Sequence, residues 1–291
     1  MSTKAQDKSA MVREIEEAAS FLTARGVGKP ETGIVLGTGL GSLADALEVK
    51  VTVPYRDIPH FPAPGVESHA GEWVFGKLAG RPVVVMRGRA HYYEGYTMRQ
   101  VTFPVRVLRA LGASSLVLTG AAGGLNPEYE IGGLCAVTDH VNLMGDNPLL
   151  GPNDDSLGVR FPDMSEPYDR ALLAAAQRVA RDQGAKLVQG VFVAVAGPNL
   201  ETAAEYRFLR QLGADVISMS IVPETLAAVH GGLRVLAIVV VTDLCIPDRL
   251  EPVRIESVVA AAGRATPALD RLIQGVVASG SLGDSGESRG R

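Results

Sequence analysis

Runs of consecutive valine, isoleucine and leucine constrain the fold of this chain more than any other feature of its sequence. The longest uninterrupted run is Val235–Val241. Strands that are apolar at every position, and not only at alternate positions, are typical of sheets covered on both faces. On this basis we predict seven strands, at Gly33–Gly37, Pro82–Met86, Ser115–Thr119, Cys135–Leu143, Leu187–Ala196, Val216–Met219 and Val235–Thr242.

Segments with helical periodicity separate most of these runs. We predict six helices, at Met11–Arg25, Met98–Leu111, Tyr168–Gln183, Thr202–Leu212, Glu224–His230 and Ile255–Val277. A strand followed by a helix recurs along the chain, which predicts an α/β fold with a mainly parallel central sheet.

The 291 residues are enough for one large α/β domain or two small ones. The chain shows neither an internal repeat nor a linker, so we expect a single domain over residues 9–278. The polar residues 1–8 and the Gly/Ser-rich residues 279–291 are expected to be disordered tails. Residues 54–72 and 144–167 are expected to be long irregular loops, which are usually functional in a compact domain.

The bulk properties exclude several classes of partner. The net charge is -4 and the pI about 5.8, so there is no basic surplus to favour nucleic acid. No apolar run approaches the ~20 residues that span a membrane, and the N-terminus lacks an apolar signal core. Cys135 and Cys245 have neither metal-binding nor redox spacing. We therefore expect both to be small core residues in a cytoplasmic protein.

The first predicted strand runs into the glycine-rich stretch GTGLGS, residues 37–42. A dinucleotide fingerprint needs a third glycine where Ser42 stands, and an acidic residue about 20 positions later, a place that Glu48 and Asp57 do not fit well. The chain has no triphosphate-binding loop of the form GxxxxGK[ST]. Glycine N–H groups beside the hydroxyls of Thr38 and Ser42 would form an anion nest. The stretch thus predicts either an anion site or a tight turn without a ligand.

A second group of polar residues follows the strand Pro82–Met86. In an extended backbone Arg89, His91 and Tyr93 share one face, and this trio suits an anion beside a sugar. The glycine-rich segment Thr119–Pro127, predicted as a turn after the next strand, offers further N–H donors. Because ligands of open α/β sheets gather at the carboxyl ends of strands, we expect these segments to meet in one site.

Three more segments place polar groups at strand ends. Glu201 falls at the start of a predicted helix, where a carboxylate is locally stabilised. Ser218 and Ser220 follow another strand, on the face opposite Met219. Asp243 ends the longest apolar run, where an acid is costly unless it binds something or caps the next helix.

These six segments together resemble the purine nucleoside phosphorylase family, trimeric type. The match runs in register from about Gly33 to about Asp243. Its most specific parts are GTGLG, HAGEWVFG, GRAHYYEGYTMRQVTFPVRVLRALG, GAAGGLNP, AGPNLETAAEYRFLRQLGAD and MSIVPET. The resemblance implies a phosphorylase/hydrolase-like α/β fold, whose central mixed sheet is partly closed as a barrel and flanked by helices. It implies neither a metal nor an organic cofactor, with orthophosphate as co-substrate.

The resemblance also implies roles for individual residues. The phosphate-binding positions are Thr38, His69, Arg89, His91, Ser220 and the backbone N–H of Ala121. The ribose-binding positions are Tyr93, Met219, Ile255 and Phe161, the last inserted from a neighbouring subunit of a homotrimer. The purine-binding positions are Leu200, Glu201 and Asp243. His91, Glu201 and Asp243 are the expected catalytic residues.

The activity implied is purine salvage by reversible phosphorolysis of purine (deoxy)ribonucleosides to a free purine and (deoxy)ribose 1-phosphate. A phosphorylase preferring adenosine or 5′-methylthioadenosine is the alternative within the same family. A nicotinamide-dependent oxidoreductase, based on GTGLGS, and a catalytically silent nucleoside-binding protein are alternatives from other classes.

Four positions depart from the family pattern. Thr38 stands where serine is usual, Leu200 replaces an aromatic that commonly lies against the base, and the other two bear on specificity. Members that use hypoxanthine and guanine typically have Asn where Asp243 stands, and an ionised Asp favours a 6-amino group over a 6-oxo group. Glu201 pulls the other way, because it accepts from N1–H of a 6-oxopurine. We expect inosine and guanosine as main substrates, with adenosine cleaved measurably. Ile255 replaces a His that meets the 5′-hydroxyl in many vertebrate members, so a 5′-deoxy sugar should be tolerated.

Overall fold

The computed structural model describes residues 9–65 and 70–283. The helices are α1 (Ala10–Ala24), α2 (Met98–Ala110), α3 (Arg170–Asp182), α4 (Ala203–Gln211), α5 (Val222–His230) and α6 (Ile255–Ala278). The strands are β1 (Thr32–Leu36), β2 (Glu48–Pro54), β3 (Glu72–Leu78), β4 (Arg81–Arg87), β5 (Ser115–Gly124), β6 (Leu134–Leu143), β7 (Leu187–Val195), β8 (Val216–Ser218) and β9 (Arg234–Leu244).

All nine strands belong to one mixed sheet in the order β2-β3-β4-β1-β5-β8-β7-β6-β9. Strand β9 also pairs with β5 in parallel, so β5, β8, β7, β6 and β9 close into a five-stranded barrel. The pairs β1–β4, β1–β5, β6–β7 and β7–β8 are parallel, while β2–β3, β3–β4, β5–β8 and β6–β9 are antiparallel. The mixed, partly closed sheet that the resemblance implied is thereby confirmed.

The six predicted helices are present, with ends that differ by two residues or fewer from the prediction. Residue types that commonly cap helices stand at the helix starts. Thr97 and Gln100 form a capping box at α2, and Asp169 caps α3. The buried faces of these helices pack on strands that are buried along nearly their whole length, such as β1 and β9. The apolar runs therefore became covered strands, as their composition indicates.

Two strands were not predicted. β2 is largely exposed and carries Glu48 and Lys50, as suits the edge of a sheet, and β3 contains Gly76. β3 has few β-branched residues, and in β2 the residues Val49, Val51 and Val53 alternate with polar residues instead of forming a continuous apolar run. β3 pairs antiparallel with β4, and β2 pairs antiparallel with β3 at the edge of the sheet. β3 begins where the predicted loop 54–72 ends.

The glycine-rich turn predicted at Thr119–Pro127 is wrong, because β5 continues through Gly124. Residues Gly120–Gly124 pair with β9, and Gly123 also pairs with Ile217 of β8. These glycines permit close packing: a Cβ on Gly124 would lie 2.9 Å from Cγ1 of Val241. The glycines of this segment let neighbouring strands pack closely and do not form a turn.

The boundary predicted for the C-terminal tail is also wrong. Leu282 is only 2% exposed, its carbonyl accepts from the Ser114 hydroxyl, and Arg234 donates to the carbonyl of Ser281. The folded part thus extends past Ser279 to at least Gly283. The expected tail residues 1–8 and 284–291 lie outside the described residues. Among the described residues, no helix is both long enough and apolar enough to cross a membrane.

Candidate active site

A cleft opens where the carboxyl ends of β1, β4, β8 and β9 meet the second half of β5. All the predicted site residues line it except Phe161 and His69. Those that line it are Thr38, Arg89, His91, Tyr93, Ala121, Leu200, Glu201, Met219, Ser220, Asp243 and Ile255. Segments far apart in the chain meet here because the parallel strands β1, β4, β5 and β9 bring their carboxyl ends to one edge of the sheet. Strand β8 is antiparallel to β5, so it runs back along the second half of β5 and brings the residues that follow it to the same cleft.

Arg89 is held from two sides at one end of the cleft. It follows β4, is 6% exposed, and donates from Nη1 to Oε1 of Glu224 at 2.8 Å. Its Nη2 donates to the carbonyl of Thr119. A guanidinium is a planar fork of five N–H donors, so fixing both terminal nitrogens fixes its plane.

His91 lies beside Arg89 and is oriented by Glu94. Oε1 of Glu94 lies 3.0 Å from Nδ1 of His91 and also accepts from the His91 backbone N–H at 2.6 Å. The Tyr93 ring stacks on the imidazole with centroids 4.8 Å apart. The expected extended backbone is wrong at this point, because Tyr92–Glu94 form a 3₁₀ turn. Arg89, His91 and Tyr93 still line the cleft. The Tyr93 ring lies on the same side as His91 because the two rings stack, and not because alternate residues of a strand share a face.

The GTGLGS stretch contributes one hydroxyl to the cleft. Thr38 lines it, whereas Ser42 lies in a 3₁₀ helix and donates to Asp270 of α6. Gly37 touches β5 closely, and a Cβ there would lie 2.7 Å from Cα of Gly120 and 2.9 Å from the Thr119 carbonyl oxygen. The backbone N–H of Gly37 donates to the Thr119 hydroxyl at 3.2 Å. Gly37 is therefore required for the approach of β1 to β5.

Ser220 is positioned by a strained turn. Ile221 has φ 70° and ψ -54°, and the N–H of Val222 donates to the Ser220 carbonyl at 2.8 Å. These values describe a γ-turn, which is rare and especially unfavourable for a β-branched residue. Ile221 is fully buried, so packing maintains the conformation. Ser218, Met219 and Ser220 all line the cleft, since β8 ends at Ser218 and the expected alternation of faces stops there.

Strand β5 forms a floor that connects the two ends of the cleft. A Cβ on Gly120 would lie 3.6 Å from the Ser220 hydroxyl and 3.7 Å from Nη2 of Arg89. A Cβ on Gly123 would lie 2.5 Å from Sγ of Cys245 and 3.3 Å from Oδ2 of Asp243. Three residues of extended strand span roughly 10 Å. We call the end of the cleft at Arg89 the basic end and the end at Asp243 the acidic end. The floor separates them by about the length of a small organic ligand.

Asp243 lies at the acidic end and accepts two hydrogen bonds. The Thr242 hydroxyl donates to Oδ1 at 2.9 Å, and the Cys245 thiol donates to Oδ2 at 3.3 Å. Burial raises the pKa of the Cys245 thiol, and the neighbouring Asp243 charge adds to this rise. Cys245 is buried in a small apolar cluster, as predicted, and its protonated thiol is also a donor at the edge of the cleft. Cys135 is fully buried in the core as predicted.

Glu201 is the second carboxylate at this end. Burial raises its pKa above the usual glutamate range, a hydrogen bond from Tyr206 lowers it, and the Asp243 charge adds to the rise. The start of α4 was expected to stabilise the ionised form of Glu201, but burial has the larger effect on its pKa. Thr202 and Glu205 close the start of α4 with a capping box of their own, which uses the N–H groups of both residues. Glu201, which precedes this cap, holds its proton more firmly than an exposed glutamate does.

The mouth of the cleft is apolar and open. Leu200, Val253 and Ile255 line it, and Ile255 is 63% exposed. Phe161 does not reach the cleft of its own chain: it is 86% exposed, and the Arg160 guanidinium lies over its ring at 5.6 Å. His69 lies outside the described residues.

Sequence reasoning missed further residues that line the cleft, among them Tyr206, Thr242, Cys245, Val253 and Val258. Thr242 and Cys245 flank Asp243, so their closeness in sequence was an available signal. Tyr206 lies five residues after Glu201, beyond the strand-end segments that the motifs emphasise. No local pattern distinguishes Val258 from the other apolar residues of α6.

Comparison with known proteins points in one direction. The model of the phosphorylase superfamily matches residues 31–278. Purine nucleoside phosphorylase 1 of Geobacillus stearothermophilus is 47% identical over 263 residues, which cover 90% of this chain and 96% of the relative. Purine nucleoside phosphorylase of Mus musculus is 43% identical over 280 residues, covering 94% and 97%. The crystal structure of a Schistosoma purine nucleoside phosphorylase in complex with hypoxanthine superposes with a TM-score of 0.88 at 38% identity, covering 94% of this chain and 99% of the other.

Proposed function

Since the chain belongs to the purine nucleoside phosphorylases of the phosphorylase superfamily, we infer that it catalyses the reversible phosphorolysis of purine nucleosides. The products are a free purine and (deoxy)ribose 1-phosphate, so the enzyme is a pentosyltransferase of purine salvage. Inosine and guanosine are its preferred substrates.

One structural observation carries this proposal beyond family membership. A single cleft has anion donors at one end and two carboxylates at the other, joined by a floor of glycine and alanine. A nucleoside with phosphate beneath its sugar has the same order of groups. Arg89, His91, Ser220 and Thr38 suit the phosphate, and Glu201 and Asp243 suit the hydrogen-bonding edge of the base.

Phosphate held beside Arg89 would attack the anomeric carbon from the face opposite the base. Holding it there removes the entropy of a bimolecular encounter, an effect worth up to ~7–11 kcal/mol in well-oriented systems. Its negative charge would also stabilise the oxocarbenium-like sugar. Tyr93, whose ring packs on His91, and Met219 line the cleft between the two ends and suit the ribose.

The leaving purine gains negative charge as the glycosidic bond breaks. Asp243 would stabilise this charge if it donates a hydrogen bond to N7, and Glu201 at the far edge orients the ring. Binding that strengthens as the base becomes an anion is transition-state binding. Leu200 at the mouth packs against the base.

The assembly we propose is a homotrimer in which Phe161 completes a neighbour's site. The 86% exposure of this aromatic in the 144–167 loop supports a role outside its own chain. We further propose that His69 approaches the phosphate, that orthophosphate is the co-substrate and that no metal or organic cofactor takes part. A cytoplasmic location, and the absence of nucleic-acid and membrane partners, complete the proposal.

A substrate panel tests the function. Release of free base from inosine, guanosine, adenosine and 5′-methylthioadenosine is measured with and without phosphate. We expect phosphate-dependent cleavage that is fastest for inosine and guanosine. Binding of inosine without base release would instead identify a silent binding protein, and much faster cleavage of adenosine or methylthioadenosine would identify the alternative phosphorylase. A stability shift on adding NAD would support the oxidoreductase.

A second comparison tests the sugar end. Ile255 offers no polar partner to a 5′-hydroxyl, so 5′-deoxyinosine should be cleaved nearly as well as inosine. A large loss for the deoxy compound would contradict the role proposed for Ile255.

A further inference from the structure

We propose that Glu224 is a positioning residue for phosphate: it holds the Arg89 guanidinium in the orientation in which phosphate is bound. Glu224 lies in the MSIVPET segment that carries the family resemblance, but the sequence analysis assigns it no role. The inference rests on the proposed function, in which phosphate is the second substrate.

The contact between the two residues is short and buried. Oε1 of Glu224 lies 2.8 Å from Nη1 of Arg89, and the two residues are 2% and 6% exposed. The other oxygen, Oε2, receives no hydrogen bond within the part of the chain that the structure describes. A buried donor that loses its acceptor incurs the full desolvation cost, so Arg89 depends on the oxygen of Glu224 for its placement.

Glu224 acts from behind Arg89 and does not face the cleft. It lines a separate small cavity together with Tyr55, Gly88 and Ala90, whereas Arg89 lines both this cavity and the cleft. The Glu224 carboxylate is therefore not a ligand of the anion. Its contribution is to fix one terminal nitrogen of Arg89, while the Thr119 carbonyl fixes the other.

The position of Glu224 in the chain links two donors of the same site. Glu224 is the third residue of α5, directly after the strained γ-turn that begins at Ser220. The Ser220 hydroxyl lies beside Gly120 and Arg89 at the floor of the cleft. The start of α5 thus sets both the serine hydroxyl and, through Glu224, the guanidinium.

Three substitutions separate position from charge. Glu224→Gln keeps an acceptor oxygen at the same reach without the charge. Glu224→Asp keeps the charge but is one methylene shorter, and Glu224→Ala keeps neither. If the carboxylate positions Arg89, the Ala and Asp variants should weaken phosphate binding, and the Gln variant should largely retain it.

The test measures kcat, KM for phosphate and KM for inosine, together with the Kd of inorganic phosphate by titration calorimetry. For Ala and Asp we expect KM and Kd for phosphate to rise at least tenfold, with KM for inosine within twofold of wild type. For Gln we expect phosphate values within threefold. Glu72→Ala is the matched control, since Glu72 pairs with Arg87 at 2.9 Å two residues before Arg89 but outside the cleft, and its phosphate Kd should not change.

Three results would overturn the inference: an unchanged phosphate Kd in Glu224→Ala, a parallel rise of both KM values, or a Gln variant as weak as Ala. If Glu224→Ala does not fold, the contrast between Asp and Gln decides the matter. A wild-type protein that binds phosphate but cleaves no nucleoside would refute the proposed function, and the calorimetric comparison would still test Glu224.

Discussion

The Cys245 thiol donates a hydrogen bond to Oδ2 of Asp243 across 3.3 Å, while the Thr242 hydroxyl donates to Oδ1. Both oxygens of this carboxylate therefore accept bonds from residues that neighbour it in the chain. An ionised carboxylate can only accept hydrogen bonds. An ionised Asp243 attracts a 6-amino group and repels a 6-oxo group, so it limits discrimination against adenosine.

The substitution Asp243→Asn should sharpen the preference for inosine. An amide can donate to O6 and accept from N7–H, so kcat/KM for adenosine should fall at least tenfold relative to that for inosine. The measurement is the ratio of the two kcat/KM values. Cys245→Ser is the matched control, because it keeps a donor to Asp243 and should leave the ratio within threefold. An unchanged ratio in Asp243→Asn would show that position 243 does not select the base.

Removing a donor from the basic end should mainly weaken the use of phosphate. Losing a charge-assisted hydrogen bond costs about 1.5–3 kcal/mol, so Arg89→Ala and His91→Ala should each raise KM for phosphate tenfold or more. Initial rates at varied phosphate and fixed inosine check this. If either variant kept the wild-type phosphate dependence, the anion site would be misassigned.

The substitution Gly37→Ala should disturb the same end without removing any polar group. The new Cβ would meet the backbone of Gly120 and Thr119 at 2.7 and 2.9 Å, and backbone atoms cannot rotate away. Overpacking of this kind costs ~1–3 kcal/mol of folding free energy. Denaturant unfolding should show that loss, and phosphate affinity should fall as β1 moves from β5. Gly263→Ala is the matched control, because a Cβ there meets no atom within 4 Å and Gly263, like Gly37, does not have a positive φ.

The pH dependence of inosine binding should report Glu201. Its ionised form accepts from N1–H of a 6-oxopurine, and burial raises its pKa. The loss of binding on acidification should therefore begin at higher pH than the titration of an exposed glutamate. KM for inosine measured from neutral to acidic pH checks the sign. Glu201→Gln should have a higher KM at neutral pH that no longer rises in this range, and a wild-type KM independent of pH would contradict the assignment.

The substitution Phe161→Ala should impair catalysis without destabilising the fold. The Phe161 ring is 86% exposed and packs only loosely, against the Arg160 guanidinium, so the melting temperature should hardly change. KM for inosine should rise if the ring completes a neighbour's site. Light scattering should give a particle of three 30.6 kDa chains for wild type. An active monomer would refute the shared site.

The sequence by itself determined the class of fold and most of the site. Apolar runs such as Val235–Val241 can be satisfied only as covered strands, and the helices start at caps such as Thr97 and Asp169 that the sequence displays. Most of the polar residues at strand ends lie in one cleft because the parallel strands β1, β4, β5 and β9 end at the same edge of the sheet. The edge strand β2 and its neighbour β3 escaped prediction, since β2 alternates polar and apolar residues and β3 has few β-branched residues.

Only the tertiary structure decided how the site residues are held. Glu224 meets Arg89 across 135 positions of sequence, and the glycines of β5 are strand residues because Val241 and Cys245 pack where side chains would otherwise lie. Cys245 is buried as its sequence indicates, but only the structure shows that its thiol also donates to Asp243 in the cleft. Whether two such side chains meet depends on packing between distant segments, which must be accurate to within a hydrogen-bond distance. Local conformational propensities contain no information about that packing.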